Sequence, residues 1–137
     1  MENIIKVYTY AVADLLHIGH LRAFRQAKAL GDYLIVGILT DEATAVYKRI
    51  PIIPFEERCA MVQSLKCVDE VVRQDSLDPT ENLKKYRPDI LTHSHGENGE
   101  FPGNPDLSLV KKAVRTEYYP HQSTTRIINK IRKTKNK

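Results

Sequence analysis

The segment His17-Ile18-Gly19-His20 constrains the fold of this chain more than any other feature. It follows the apolar run at 4–10 and precedes an amphipathic stretch at 21–30, so the pattern predicts a strand, a loop and a helix. The first N–H groups of a helix have no partner within it, and with the helix dipole they attract anions. Because side chains three positions apart share one helix face, both imidazoles are predicted to point at one phosphate chain.

The residue types in this segment suit nucleotidyl transfer. In that reaction an oxyanion attacks the α-phosphorus of a nucleoside triphosphate and pyrophosphate leaves, so the protein must mainly position groups and absorb negative charge. Imidazole donates hydrogen bonds near neutral pH and can become cationic, and Gly19 lets a ligand lie against the backbone. A structural zinc pair or two surface histidines would have the same spacing, but zinc needs further ligands and neither cysteine lies near.

The rest of the chain alternates strand-like and helix-like segments. Strands are predicted at 4–10, 33–39, 68–72, 89–92 and about 111–119, and helices at 21–30, 55–66, 80–86 and from Ser123 onward. This order predicts an α/β fold with a doubly wound, five-stranded parallel sheet and helices on both faces. A single domain is expected over 1–137, with 126–137 forming a helix end and a basic tail.

The winding of such a sheet predicts where a ligand binds. Ligands lie outside the carboxyl ends of the strands, at the point where the winding reverses. The loop carrying Asp14 and His17 follows the first strand, and His93-Ser94-His95-Gly96 follows the fourth, so these loops are expected to be neighbours. The stretch 96–105 is rich in Gly, Pro and Asn, which predicts a surface loop beside the site.

Composition and charge limit the cellular location and the classes of partner that are expected for this chain. The 137 residues carry a net charge of +4, and no apolar stretch reaches the roughly 18 residues of a membrane-spanning helix. The N-terminus lacks a basic region followed by an apolar one, so a cytoplasmic protein without a membrane partner is expected. Cys59 and Cys67 are interpreted as reduced structural thiols. The basic run 126–137 has no interleaved aromatic residues, which argues against nucleic acid and for attraction of anionic substrates.

Several segments in order resemble the small cytidylyltransferases of the HxGH nucleotidyltransferase superfamily, of the glycerol-3-phosphate type, and the cytidylyltransferase domains of phosphonate biosynthesis. The similarity runs from residue 4 to about 130. Its segments are 17–20, 27–37, 40–42, 47–51, 57–58, 68–72, 82–89 and 123–125. The resemblance implies a Rossmann-like nucleotidyltransferase fold and a homodimer. It also implies transfer of CMP from CTP to a small phosphorylated alcohol or a phosphonate, with Mg²⁺ accompanying the triphosphate.

The resemblance also assigns roles to particular positions. It implies that His17, His20 and Lys48 are catalytic and that Arg49 binds the acceptor. The nucleotide-binding candidates are Ala11, Val12, Ala13, Asp14, Gly19, His95, Arg115, Ser123, Thr124 and Thr125. No residue is assigned as a metal ligand. Cations and helix N-termini complement a polyanion, so these roles also agree with the chemistry of the side chains.

The chain departs from the family pattern at three places. Ala11-Val12-Ala13-Asp14 replaces Gly-Thr-Phe-Asp, and 93–97 replaces the usual Gly-Asp-Asp-Trp that helps to read the base. Residues 118–122 separate Arg115-Thr116-Glu117 from Ser123, and this spacing is three residues longer than in the family pattern. His93 and His121 are interpreted as ordinary loop histidines, whereas His95 is kept as a candidate.

These departures leave two alternatives to the cytidylyltransferase hypothesis. The first is an adenylyltransferase of the heptose-phosphate type that uses ATP, which shares the histidine motif and the segment Arg49-Ile50-Pro51. The second is a non-catalytic nucleotide sensor, suggested by the altered loops at 11–14 and 93–97.

Overall fold

A computed structural model describes residues 3–94 and 100–134 of the chain, and its centre is one parallel sheet. The strands are β1 (Lys6–Ala11), β2 (Tyr33–Leu39), β3 (Glu70–Gln74), β4 (Ile90–His93) and β5 (Lys112–Arg115). The helices are α1 (Ile18–Lys28), α2 (Asp41–Tyr47), α3 (Phe55–Gln63), α4 (Thr80–Tyr86) and α5 (Thr124–Lys133). Strands and helices alternate along most of the chain, except that α3 follows α2 directly and a short 3₁₀ helix, Leu107–Leu109, stands between β4 and β5.

The strand order is β3-β2-β1-β4-β5, and every pairing is parallel. The winding therefore reverses between β1 and β4, where Val7 pairs with Ile90 and Tyr8 with Leu91. This arrangement confirms the predicted doubly wound α/β fold. It also places the loop after β1 beside the chain that leaves β4, as the sequence predicted.

Successive side chains of β1 enter opposite faces of the sheet, and each face has its own apolar cluster. Val7 packs in the cluster that contains Phe24 of α1 and Val62 of α3. Tyr8 packs in the other cluster, which contains Leu83 of α4. Helices thus cover both faces, and the buried strands are apolar in almost every position, as parallel strands require.

Some element boundaries differ from the sequence prediction. Helix α2 was not predicted, because its seven residues, about two turns, give no clear apolar period. Thr40 caps it by accepting the N–H of Ala43 at 3.0 Å. Strand β5 ends at Arg115 rather than near 119. Helix α1 begins at Ile18, so the histidine segment forms its first turn instead of preceding it.

The stretch 96–105 was predicted to be a surface loop, and part of that prediction is wrong. Phe101 is buried in the apolar cluster of Tyr8, and Gly103 adopts a positive φ of 84°. A Cβ on Gly103 would lie 2.5 Å from the backbone N of Asp78, so this turn packs tightly on the chain after β3. Residues 95–99 lie outside the described part of the chain.

Two expectations from composition concern the cysteines and membranes. Cys59 and Cys67 are both free thiols in the structure, as predicted. Within residues 3–94 and 100–134, no helix has the length and apolar character needed to cross a bilayer.

Candidate functional site

The first turn of α1 is held together by its two histidines. His17 is the N-cap, and its Nδ1 accepts the backbone N–H of Gly19 at 3.0 Å. The backbone N–H of His17 in turn donates to Nδ1 of His20 at 3.1 Å. The ring centroids lie 3.9 Å apart. This is a capping box made of imidazoles, and it orients both rings through contacts within four residues.

These hydrogen bonds determine where the ring protons are. Because each Nδ1 accepts a backbone N–H, the proton of each neutral ring is on Nε2. Burial lowers the pKa of His17. Burial, with smaller contributions from His17 and Lys48, lowers the pKa of His20 to about 3 against the opposing effect of Asp14. Both rings are therefore neutral hydrogen-bond donors at neutral pH.

Gly19 lines a cavity beside this turn, and it also makes room for the ring of His17. A Cβ at this position would lie 2.8 Å from Cε1 and 3.0 Å from Nδ1 of His17. The ring of His17 therefore occupies space that a side chain at position 19 would take. Its present orientation depends on glycine at this position, and the predicted contact of Gly19 with a ligand stays a prediction.

A cavity of about 480 Å³ opens beside this turn, at the carboxyl ends of β1, β2 and β4. Among the described residues, it brings together every candidate site residue except Arg115. The candidates that line it are Ala11, Val12, Ala13, Asp14, His17, Gly19, His20, Lys48, Arg49, Ser123, Thr124 and Thr125. Residues from widely separated parts of the chain therefore meet at the predicted switch point.

One described candidate does not line the cavity. Arg115 ends β5 opposite His93, and its guanidinium donates to the carbonyl of Glu100 at 3.5 Å. Its nucleotide contact stays a prediction. The prediction for His95 falls on a residue outside the described part of the chain.

Asp14 is the buried anchor of the loop after β1. Its carboxylate accepts the N–H groups of Ile52 at 2.8 Å and Ile53 at 2.9 Å, and Arg49 donates to it at 2.7 Å. Burial would raise the pKa of Asp14, but these hydrogen bonds together lower it. The flanking residues Ala13 and Leu15 have positive φ angles of 55° and 53°. Asp14 is thus held inward by a tight turn and fully engaged by the 49–53 segment.

The start of α5 closes the other side of the cavity. Ser123 caps the helix by accepting the N–H of Arg126 at 3.1 Å. Thr124 donates its hydroxyl to the carbonyl of Asp14 at 2.7 Å, which ties this helix to the loop after β1. The N-termini of α1 and α5 therefore border the same cavity, and their partial positive charges are both available to an anion.

Lys48 and Arg49 supply the fixed cations of the cavity wall. Lys48 follows α2 as its C-cap, and burial together with the neighbouring Arg49 lowers its pKa, against the opposing effect of Asp14. Arg49 reaches Asp14 and also donates to the carbonyl of Ile50 at 3.2 Å. Arg49 is thus partly committed to an ion pair, whereas the described structure shows no ion pair for Lys48.

Sequence reasoning missed several cavity residues, among them six with aromatic rings. His93 is the last residue of β4, so its interpretation as an ordinary loop histidine is wrong. Its ring lies 4.7 Å from that of Tyr10, whose hydroxyl donates to the carbonyl of Pro102 at 2.6 Å. The other missed aromatic residues are Phe24, Tyr47, Tyr118 and Tyr119. Tyr10 and His93 could have been found, because they lie at the ends of the two strands flanking the switch point.

The described residues of the cavity include a single carboxylate that a metal ion could use. Within residues 3–94 and 100–134, no group of three or more His, Cys, Asp or Glu side chains is arranged to hold a metal ion. Asp14 is the only carboxylate among the described lining residues, and its oxygens already accept three N–H groups.

The fold and cavity define the class of this protein as a doubly wound α/β protein with an anion site at the switch point. Residues 8–130 match the model of the family described as Cytidylyltransferase-like. The chain belongs to this family of nucleotidyltransferases.

Individual relatives agree with the family. Ethanolamine-phosphate cytidylyltransferase of Mus musculus is 40% identical over 115 residues, covering 83% of this chain but only 28% of that protein's length. Glycerol-3-phosphate cytidylyltransferase of Staphylococcus aureus is 35% identical over 123 residues, covering 89% of this chain and 91% of the relative. The crystal structure of a lipopolysaccharide core biosynthesis protein from Thermoplasma volcanium superposes with a TM-score of 0.74 and 28% identity, covering 85% and 99% of the two chains.

Proposed function

We propose that this chain transfers CMP from CTP to a small phosphorylated alcohol or a phosphonate and releases pyrophosphate. The observation that carries the proposal is the convergence of the histidine pair, the start of α5 and two cations on one cavity. Two relatives named as cytidylyltransferases of phosphorylated alcohols support the choice of nucleotide and acceptor. A volume of about 480 Å³ is within the range of small-molecule sites.

The proposed chemistry is a single displacement. An acceptor oxygen attacks the α-phosphorus, the new phosphorus–oxygen bond forms as the bond to pyrophosphate breaks, and the pyrophosphate carries away the released electron pair. The Nε2–H groups of His17 and His20 donate to phosphate oxygens whose charge grows in the transition state. No covalent enzyme intermediate is needed, and neutral rings supply these donors without a proton transfer.

The other groups of the cavity bind and orient. The backbone N–H groups at the start of α5 donate hydrogen bonds to phosphate oxygens. Lys48 neutralises part of the negative charge that the two anionic substrates bring into the cavity. Arg49 faces the acceptor from its ion pair with Asp14. We propose that Mg²⁺ would accompany the triphosphate as it binds. No step described above depends on this ion.

ATP is the second candidate nucleotide. The segment after β4, which helps to read the base in the family, differs from the usual pattern, and part of it lies outside the described residues. The solved relative is described by lipopolysaccharide core biosynthesis, a title that specifies no base. The choice of base is therefore the first thing to measure.

The test begins with thermal shifts of the protein in CTP and in ATP at equal concentration. Pyrophosphate release is then measured with each nucleotide, Mg²⁺ and pooled phospho-alcohols and phosphonates, and the product is identified by mass. CTP stabilisation with a CDP-linked product supports the proposal. An adenylylated product supports the second candidate, and binding without pyrophosphate from any acceptor supports the nucleotide sensor. Sedimentation of the same sample tests the expected homodimer.

A further inference from the structure

Arg58 is an arginine buried behind the cavity wall rather than in it. The residue lies in α3 and is only 1% exposed, and it is absent from the cavity lining. Its guanidinium donates to three carbonyls, those of Val12 at 2.6 Å, Leu39 at 2.9 Å and Ile53 at 2.9 Å. A fourth hydrogen bond joins it to the carboxylate of Asp41 at 2.6 Å. Each of these partners belongs to a segment that borders the cavity or leads into it.

Two of these partners enclose the cationic segment of the site. Asp41 is the first residue of α2, and Ile53 ends the loop that follows this helix. Lys48 and Arg49 lie between them. Arg58 therefore holds both ends of the stretch 41–53 to a single planar group, and the same group holds this stretch to the ends of β1 and β2.

Ile53 shows how tightly the end of this stretch is held. Its N–H donates to Asp14 at 2.9 Å, and its carbonyl accepts from Nε of Arg58 at 2.9 Å. Both backbone polar groups of this one residue are thus bonded to buried charged side chains. Two such bonds leave the backbone little freedom to shift along or across the cavity wall.

We propose that Arg58 is a positioning residue that sets where Lys48 and Arg49 stand relative to the phosphates. This inference rests on the proposed function for its catalytic consequence, whereas the anchoring of the loop can be tested without it. A buried ion pair is weak evidence for stability, since an apolar side chain of similar size often serves as well. Carbonyls from three segments that converge on one guanidinium indicate control of geometry.

The first experiment measures amide hydrogen exchange in the wild type, Arg58→Lys and Leu83→Ala. Lysine keeps the charge but cannot bond four partners in one plane, so exchange at Ile52 and Ile53 is expected to rise about tenfold relative to the core amide of Val36. Leu83 is 1% exposed on the other face of the sheet, and its replacement lowers stability without this change of ratio. An unchanged ratio in Arg58→Lys overturns the anchoring.

The second experiment measures kcat/KM for the same variants and for Lys48→Ala and the double variant. Arg58→Lys is expected to lower kcat/KM by about 10- to 100-fold, and Leu83→Ala by less than about threefold at a temperature where both are folded. If Arg58 acts through Lys48, the double variant is about as active as Lys48→Ala alone. Two results would contradict the proposal and leave Arg58 with a role in core stability only. One is that the losses of kcat/KM in Arg58→Lys and Lys48→Ala add in full, and the other is that Arg58→Lys and Leu83→Ala lose the same kcat/KM.

A second variant guards against loss of folding. Asp41→Asn removes the charge of the Arg58 partner that is 38% exposed, and Asp41 does not line the cavity. We expect the same changes as in Arg58→Lys, but smaller, in both exchange and kcat/KM. If no nucleotide supports turnover in the wild type, the proposed function fails, while the exchange ratio still decides whether Arg58 holds the loop.

Discussion

The two sides of the cavity that supply its histidines and its cations are built in opposite ways. The first turn of α1 is organised by hydrogen bonds between residues 17–20, all of them local. The 48–53 segment is organised by Asp14 and Arg58, which lie far from it in sequence or in another element. One side is therefore specified within four residues, and the other only by the folded core.

This difference separates two kinds of failure. A change in the histidine turn should alter the chemistry and leave the rest of the protein folded. A change in the buried anchors should alter the cation segment and the stability together, because the same hydrogen bonds serve both.

The largest effect is expected for His17→Ala and His20→Ala. Each removes an Nε2–H donor, and the loss of one transition-state donor typically costs about 10²- to 10³-fold in kcat. His17→Ala also removes an N-cap worth about 1 kcal/mol, so both variants should remain folded. Pyrophosphate release and thermal melting check the two expectations.

The matched control for this prediction is His121→Ala, which removes a histidine that packs on Tyr119 but does not line the cavity. Its pyrophosphate release should stay within about twofold of the wild type, since the change removes no hydrogen-bond donor from the cavity lining and the ring of His121 contacts that lining through Tyr119. Wild-type turnover in His17→Ala or His20→Ala contradicts the role of the pair.

The variant Asp14→Asn tests the other side of the cavity, where Asp14 anchors the 48–53 segment. An amide offers one acceptor oxygen where the carboxylate receives three N–H groups, so at least one buried donor loses its partner. The free energy of unfolding is expected to fall by about 2–4 kcal/mol. The activity is expected to fall with it, because the same hydrogen bonds hold the cation segment in place. Urea denaturation measures the first quantity and kcat/KM the second.

Asp75→Asn makes the same chemical change in an exposed ion pair with Arg73. Exposed pairs contribute little, so its unfolding free energy should change by less than about 1 kcal/mol. Equal stability of the Asp14 and Asp75 variants contradicts the anchoring role of Asp14.

The comparison also explains what the sequence could predict. The parallel sheet, the switch point and the histidine turn depend on apolar period and local spacing, and the structure confirms each. Asp14 was correctly placed at the cavity, but its bonds to Ile52 and Ile53 join segments that no local pattern connects. Arg58 was noted only as part of a resemblance, because one arginine in an amphipathic helix is normally solvated. Contacts between distant segments were therefore the part that the sequence did not specify.

The pH dependence of stability tests the local side of the site. His20 has a folded-state pKa of about 3 against an ordinary value of 6.5. Between these two pH values His20 is protonated in the unfolded chain but neutral in the folded chain. The contribution of His20 to the free energy of unfolding is therefore fully present above pH 6.5 and is lost progressively as the pH decreases toward 3. The loss between about pH 7 and about pH 5 should be about 2 kcal/mol.

His20→Asn is the variant that isolates this contribution. Its side-chain oxygen can accept the N–H of His17 as Nδ1 does, but the amide does not titrate. Urea midpoints of the wild type and the variant should therefore diverge as the pH falls through this window. Parallel curves would contradict the prediction, because they would mean that the pKa of His20 in the folded protein is close to its ordinary value.

The smallest effect is expected for Gly19→Ala, and it separates geometry from helix stability on the histidine side. Alanine is the better helix former by about 1 kcal/mol, but its Cβ would stand 2.8 Å from Cε1 of His17 and must displace that ring. The two effects nearly cancel in unfolding free energy, whereas kcat should fall about three- to tenfold because one donor is misplaced. Reduced kcat at unchanged melting temperature is the expected result. Unchanged kcat would show that the orientation of the His17 ring, which the capping hydrogen bond to Gly19 maintains, does not matter to the reaction.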